Sequence, residues 1–167
     1  TYKIVMARKP REILRHGWTT GACATAAAKA AYTGLLTGCF PDPVEIILPK
    51  GKTPSFALAR EKIDGKRASA AIVKDAGDDP DVTHGALIQV DIDPRDDDGH
   101  GVTFRAGDGV GTVTREGLPL AIGEPAINPA PRQMIEKVIA EVADTHGGNG
   151  NVIVTVSVEG GAALALK

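Results

Sequence analysis

Two stretches of the chain have the residue pattern of helices, and the two patterns differ in kind. Residues 20–36 begin as a run of Ala, Cys and Thr in which Lys29 is the only charge between Gly21 and Ala31. A run without an apolar stripe predicts a helix that is packed at close range on several sides. Residues 131–145 instead predict an amphipathic second helix, whose apolar face is formed by Pro131, Met134, Ile135, Val138, Ile139 and Val142.

Strand patterns fill much of the remaining chain. Residues 44–48 and 152–158 are rich in β-branched side chains, residues 86–92 and 102–106 alternate apolar and polar positions, and residues 2–6 suit a short first strand. Asp64-Gly65 predicts a hairpin turn between the alternating residues that start at Phe56 and the strand 68–73. Two helices among such strands predict one α+β domain over residues 1–167, layered, with a mixed or antiparallel sheet and no regular βαβ winding.

Composition narrows the classes of partner. The 167 residues carry a net charge of −2 and no Lys/Arg cluster that could hold a phosphate backbone, so we expect no nucleic-acid partner. No apolar run reaches the roughly 20 residues that a bilayer requires, and we expect a soluble, cytoplasmic protein without membrane contact. The two cysteines, Cys23 and Cys39, do not form a disulfide framework, and with four histidines at unsuitable spacing they predict no metal site.

The start of the first helix is the first candidate for chemistry. The hydroxyls of Thr19 and Thr20 can accept hydrogen bonds from the first free N–H groups of that helix. The free N–H groups and the helix dipole also suit an anionic group, and Gly21 would leave the backbone bare for a ligand oxygen. These residues fit a well-capped core helix equally well, and the local sequence leaves both interpretations open.

Two further loops raise weaker possibilities. Gly107-x-Gly109-x-Gly111 resembles a dinucleotide fingerprint, but β-type residues follow it, so it is better explained as a bare loop or hairpin. A kinase-like phosphate-binding domain that uses this loop is a remote alternative. The acidic residues 75–81 could hold a cation, yet they lack the glycine and terminal glutamate of a calcium loop, which favours a turn or polar ligand contacts.

Three polar stretches rich in Gly and Pro are more specific when taken together. They read Gly-Trp-Thr-Thr-Gly-Ala-Cys-Ala from Gly17, Lys-Asp-Ala-Gly-Asp-Asp-Pro-Asp-Val-Thr from Lys74, and Gly-Glu-Pro-Ala-Ile-Asn-Pro-Ala-Pro-Arg from Gly123. In this order they resemble the motifs of the cobalt-precorrin-5B C1-methyltransferase family, known as CbiD. The resemblance extends over nearly the whole chain. Members of that family continue beyond the position of Lys167, so the chain resembles their N-terminal portion. This leaves open whether the portion is active by itself.

The resemblance implies a function. The family transfers a methyl group from S-adenosylmethionine to C1 of a cobalt-containing tetrapyrrole in anaerobic cobalamin biosynthesis, with cobalt present only as part of the substrate. It implies a small-molecule tetrapyrrole partner and leaves homo-oligomerisation open. The alternative from another class is a non-enzymatic tetrapyrrole- or nucleotide-binding module, which binding of S-adenosylmethionine to this chain would help to distinguish.

The three motifs also supply the expected site residues, and we expect them to converge on one cleft. Arg15, Lys74, Arg132 and the helix start are candidate contacts for substrate carboxylates. Asp78, Asp79 and Glu124 are candidates for holding the donor or assisting proton loss, and no catalytic residue is assigned. The complete set expected to bind substrate or cofactor is Arg15, Thr19, Thr20, Gly21, Cys23, Lys74, Asp75, Gly77, Asp78, Asp79, Asp81, Thr83, Glu124, Asn128 and Arg132.

Overall fold

A computed structural model of the chain describes residues 18–74, 85–112 and 123–159. These ranges contain two helices, α1 (Thr20–Thr37) and α2 (Pro129–His146). They also contain the strands β1 (Val44–Glu45), β2 (Ser55–Phe56), β3 (Arg60–Asp64), β4 (Arg67–Val73), β5 (Leu87–Pro94), β6 (Val102–Ala106) and β7 (Val152–Glu159). The predicted strand at residues 2–6 lies outside the described residues.

The main sheet has five strands in the order β3-β4-β5-β7-β6. Every neighbouring pair is antiparallel except β6 and β7, which run parallel and are joined through α2. β1 and β2 form a separate antiparallel pair. The α+β prediction with a mixed sheet is therefore confirmed.

The first helix packs as its small side chains predict. Ala26, Ala27, Ala28, Ala30 and Ala31 are all 0% exposed. Together with inward-facing residues of β4, β5 and β7 they form one hydrophobic core. The helix ends where Gly38 adopts a φ of 80° and its N–H donates to the carbonyl of Gly34. Because an Ala side chain needs little space, the backbone of α1 can lie close to its neighbours.

The second helix begins two residues earlier than the pattern predicts. The sequence pattern predicts a start at Pro131, but Pro129 and Ala130 are already helical. Proline fits this position because its fixed φ is helical and the missing N–H would have no intrahelical partner. The predicted apolar face is present, with Ile135, Val138, Ile139 and Val142 buried.

The hairpin and the small sheet also differ in detail from expectation. Asp64-Gly65 does form the turn, with Gly65 at a φ of 61°, but the arm that pairs with β4 is Arg60–Asp64. This edge strand is exposed throughout, so its burial pattern carries no alternation for a sequence to reveal. β1 is shorter than the β-branched run that predicted it.

Within the described ranges, neither helix is sufficiently long and apolar to cross a membrane.

Candidate functional site

A cleft of about 560 Å³ opens where both helices begin, and we call it the glycine cleft. Four parts of the chain meet there: the first turn of α1, the first turn of α2, the loop after β6 and the end of β7. The described residues that line it are Thr19, Thr20, Gly21, Ala24, Gly109, Val110, Gly111, Ala126, Ile127, Asn128, Ala130, Pro131, Met134, Val156 and Val158. The structure thus brings together the predicted site residues Thr19, Thr20, Gly21 and Asn128.

The start of α1 is capped by Thr19, and its first backbone N–H groups remain as hydrogen-bond donors at the cleft. The Ala22 N–H donates to Thr19 Oγ1 over 3.0 Å, and the Cys23 N–H donates to the Thr19 carbonyl over 3.1 Å. Thr20 is the first helical residue, so its N–H and that of Gly21 have no intrahelical partner. These N–H groups and the Thr20 hydroxyl are therefore suited to polar or anionic groups of a ligand.

The start of α2 contributes a second positive helix end. Its N-cap is Asn128, which has extended backbone angles but makes no capping hydrogen bond with its side chain. The Asn128 amide is exposed and lines the cleft beside Ala130 and Pro131. Because two helix dipoles point their positive ends at one cavity, the site favours negative charge without a lysine or arginine in its described wall.

The loop after β6 forms another part of the wall of the glycine cleft, and its backbone contacts explain why it contains glycines. The Gly107 N–H donates to the Val156 carbonyl over 2.8 Å, and the Val158 N–H donates to the Asp108 carbonyl over 2.7 Å. Gly109 has a φ of 77°, and a Cβ there would collide with the Val158 carbonyl oxygen. Thr112, directly after this loop, forms a bridge with Pro125 and is not helical. Sequence reasoning separated this loop from the site, although Gly109, Val110 and Gly111 line it.

Gly21 is required by the close packing of the two helix starts. A Cβ at Gly21 would lie 2.9 Å from Cγ of Pro131, so a side chain there would push the two helix starts apart. The expectation that its bare backbone also contacts a ligand oxygen stays a prediction. A substitution of Gly21 therefore alters the cleft through its walls, and Thr20 is the cleaner position at which to test ligand contact.

Arg132 and Glu124 lie beside the glycine cleft in a separate depression that also includes Phe104. The Arg132 guanidinium donates to the carbonyl of Ile127 over 2.8 Å and to that of Pro125 over 2.7 Å. It also contacts the Glu124 carboxylate at 3.2 Å and lies 5.3 Å from the centre of the Phe104 ring. In this arrangement Arg132 fixes segment 124–127, which carries a wall of the cleft, to α2 and β6.

The remaining predicted residues are buried or lie outside the described ranges. Cys23 is 1% exposed and belongs to the core, one position before Ala24 of the cleft wall. Lys74 is 2% exposed and follows β4 at the end of the sheet where the Gly85 N–H donates to its carbonyl over 2.8 Å. The candidates outside the described residues are Arg15, Asp75, Gly77, Asp78, Asp79, Asp81 and Thr83.

The chemistry available in the cleft follows from its wall. Backbone groups, two hydroxyls and one amide are set among Ala, Val, Ile, Pro and Met side chains, and the described wall contains no ionisable side chain. Such a wall can align a ligand and exclude water, but it does not provide a strong acid or base. The described residues also contain no group of three His, Cys, Asp or Glu side chains placed to hold a metal ion.

Known proteins similar to this chain point to one family. A sequence model described as CbiD matches residues 7–167. A protein of Bradyrhizobium sp. named cobalt-precorrin-5B C(1)-methyltransferase is 58% identical over 154 residues, which is 92% of this chain and 41% of that protein. The protein of the same name from Brucella anthropi is 57% identical over 154 residues, covering 92% of this chain and 42% of its own length.

A solved structure agrees with the fold. The crystal structure of the cobalamin biosynthesis protein CbiD from Archaeoglobus fulgidus superposes with a TM-score of 0.66 at 26% identity. The match covers 92% of this chain and 47% of that one. The chain therefore spans less than half the length of the relatives and of the structure that it matches.

Proposed function

The chain belongs to the CbiD family, and from this premise we propose that a protein of the relatives' length methylates C1 of cobalt-precorrin-5B with S-adenosylmethionine as the donor. It would thus be a C-methyltransferase, as the names of its relatives suggest, and would act in anaerobic cobalamin biosynthesis. Cobalt enters this reaction only within the tetrapyrrole.

The observation that carries this proposal is the meeting of two helix N-termini and a glycine loop in the glycine cleft. A tetrapyrrole of this class bears many carboxylates on an otherwise apolar ring. Helix N-termini stabilise carboxylates, and the Val156, Val158 and Met134 side chains offer apolar contacts to a ring. The same cleft would therefore suit both chemical faces of the substrate.

The lack of a strong base in the described wall is compatible with methyl transfer. S-adenosylmethionine supplies an electrophilic methyl group on a sulfonium, and the carbon–sulfur bond breaks as the new carbon–carbon bond forms. What this chain has to contribute is alignment and a dry environment. We assign the alignment of polar ligand groups to Thr19, Thr20, Gly21 and Asn128, and the exclusion of water to the apolar side chains around them.

Other predicted residues take supporting roles in this proposal. The Glu124–Arg132 pair keeps segment 124–127 in place, and this contact favours a positioning role for both side chains. Lys74 directly precedes the acidic motif 75–83, for which we keep the expectation of contacts to donor or substrate. Binding experiments with each ligand separately test the assignment of the tetrapyrrole to the glycine cleft.

The test uses a protein of the relatives' length and the substitution Thr20→Ala. Loss of one hydrogen bond to a charged group costs about 1.5–3 kcal/mol, so KM or Kd for the ligand that Thr20 contacts should rise roughly ten- to hundredfold. Methyl transfer from labelled S-adenosylmethionine gives KM for the tetrapyrrole, and calorimetry gives Kd for each ligand separately. The ligand whose affinity falls identifies the occupant of the cleft.

Thr33→Ala is the matched control. Thr33 lies in the same helix, and its hydroxyl donates to the Lys29 carbonyl over 2.7 Å, away from the cleft. It should leave both affinities unchanged. If the wild-type protein binds neither S-adenosylmethionine nor a cobalt tetrapyrrole, the proposed function is wrong. If the wild-type protein binds both ligands and Thr20→Ala keeps the wild-type KM and Kd values, the proposed function stands, but the glycine cleft is not the binding site.

A further inference from the structure

A second cavity of about 440 Å³ adjoins the glycine cleft, and we call it the lysine groove. It lies between α1, α2 and the segment that follows β1. Ala130 and Met134 line both cavities, so the two meet at the first turns of α2. A ligand larger than either cavity could therefore extend from one into the other.

The groove combines an apolar floor with two ammonium groups. Ile46, Leu48, Met134 and Val138 supply apolar surface, while Ile47 at the rim is 67% exposed. A ligand in the groove would remove the apolar surface of this exposed isoleucine from water, which favours binding.

The charged side chains come from both helices. Lys29 of α1 has its Nζ 2.6 Å from the Glu45 carbonyl, which fixes the ammonium group at the groove and uses one of its N–H donors. Lys137 of α2 lines the groove and is exposed, with Gln133 one turn earlier. Glu141 adds one negative charge at the same cavity. The remaining lysine N–H groups and the Gln133 amide suit carboxylates that project from an apolar body.

We infer that the lysine groove binds the peripheral carboxylates and one apolar edge of the same tetrapyrrole whose reacting part lies in the glycine cleft. This inference rests on the proposed function and deepens it, because it assigns substrate binding to residues outside the three motifs. The shared boundary of the two cavities at Ala130 and Met134 and the match of ammonium groups to carboxylates support a single occupant. Part of a longer chain packed into the groove is the competing occupant.

The main experiment changes Lys137, which makes no hydrogen bond required by the fold among those described. In a protein of the relatives' length, Lys137→Gln should raise KM for the cobalt tetrapyrrole about tenfold, as expected for loss of one charge-assisted contact. Lys137→Arg should retain most of the affinity because it keeps the charge. Kd for S-adenosylmethionine and kcat should stay at wild-type values. Binding of cobalt uroporphyrin, followed by its absorbance, provides the same comparison without turnover.

Lys66→Gln is the control for charge. Lys66 lies in the exposed turn between β3 and β4 and should leave every constant unchanged. A second pair tests the apolar edge: Ile47→Thr should weaken tetrapyrrole binding, whereas Ile63→Thr, at an isoleucine that is 45% exposed on β3, should not. Both isoleucines are exposed, so neither change should impair folding.

The outcomes separate the two proposals. A wild-type protein that neither binds nor methylates the tetrapyrrole overturns the proposed function and this inference with it. An active protein whose Lys137→Gln and Ile47→Thr variants keep wild-type KM and Kd overturns the inference alone. A fall in melting temperature for these variants at unchanged KM would show that protein packs in the groove, and it would also overturn the inference.

Discussion

The two helices have equal length but opposite relations to solvent, and both begin at the same cleft. Eleven of the 18 residues of α1 are buried, against five of 18 in α2. The α1 start is capped by a side chain, whereas the α2 start is not. The cleft is therefore built from one helix end fixed by the core and one whose N-cap amide is available to a ligand. Fold stability should depend mainly on α1.

We expect the largest effect from a mutation that disturbs the packing of the buried helix α1. Ala28 is 0% exposed, so Ala28→Leu should overpack the contact of α1 with its neighbours and destabilise the protein by about 1–3 kcal/mol. Ala140→Leu is the matched change on α2, at an exposed position, and should have little effect. Denaturant unfolding of both variants measures the difference. Equal midpoints for the two would contradict the asymmetry between the helices.

A smaller effect distinguishes the two helix starts. Thr19→Ala removes the hydroxyl that accepts from the Ala22 N–H and should cost about 1 kcal/mol of unfolding free energy. Asn128→Ala removes no capping bond, so its cost in stability should be clearly smaller. We expect instead that Asn128→Ala weakens ligand binding. Thermal unfolding with and without ligand compares them, and a greater loss of stability for Asn128→Ala would contradict the assigned capping.

The smallest expected effect concerns an ion pair in a surface turn that lies away from both helices, and it serves as a reference for the effects at the helices. A hydrogen bond from Arg95, with a backbone N–H from Gly99, lowers the pKa of Asp97 from 3.8 to about 2. A carboxyl group whose pKa is lowered by folding stabilises the folded protein at pH values above its pKa in the unfolded state. This contribution is lost as the pH falls from about 4 to about 2. Asp97→Asn should therefore lower the melting temperature slightly at pH 5 but not at pH 2. An equal difference at both pH values would exclude this ion pair as the cause.

The sequence predicts α1 well because its signals are local. A threonine cap at one end and a glycine at the other define its bounds to within one residue. The start of α2 is less clear because Pro129 is compatible with both an extended segment and a first helical turn. The other main strands are found by alternation or by β-branched side chains, whereas the polar, exposed residues of β3 carry neither pattern.

The site is harder to derive from sequence because its walls are joined by tertiary contacts. Nothing in the local pattern of residues 102–106 indicates that β6 will run parallel to β7, and this pairing puts Gly109 and Gly111 beside the helix starts. The motifs drew attention to Arg132 as an anion contact, yet its donors face the carbonyls of Pro125 and Ile127. Lys29 and Lys137 belong to no motif, and only the meeting of α1 and α2 makes them neighbours.

The position of β7 in the sheet has a consequence for the order of folding. β3, β4 and β5 pair in sequence order, so this meander can form from nearby residues. β7 pairs with β5 only through distant residues, such as Pro94 with Val152, and it also carries β6 on its other side. Non-local pairing forms slowly because a long loop must close first. During synthesis the edge of β5 therefore stays unpaired until β7 has left the ribosome, and in that interval the edge can pair with another chain.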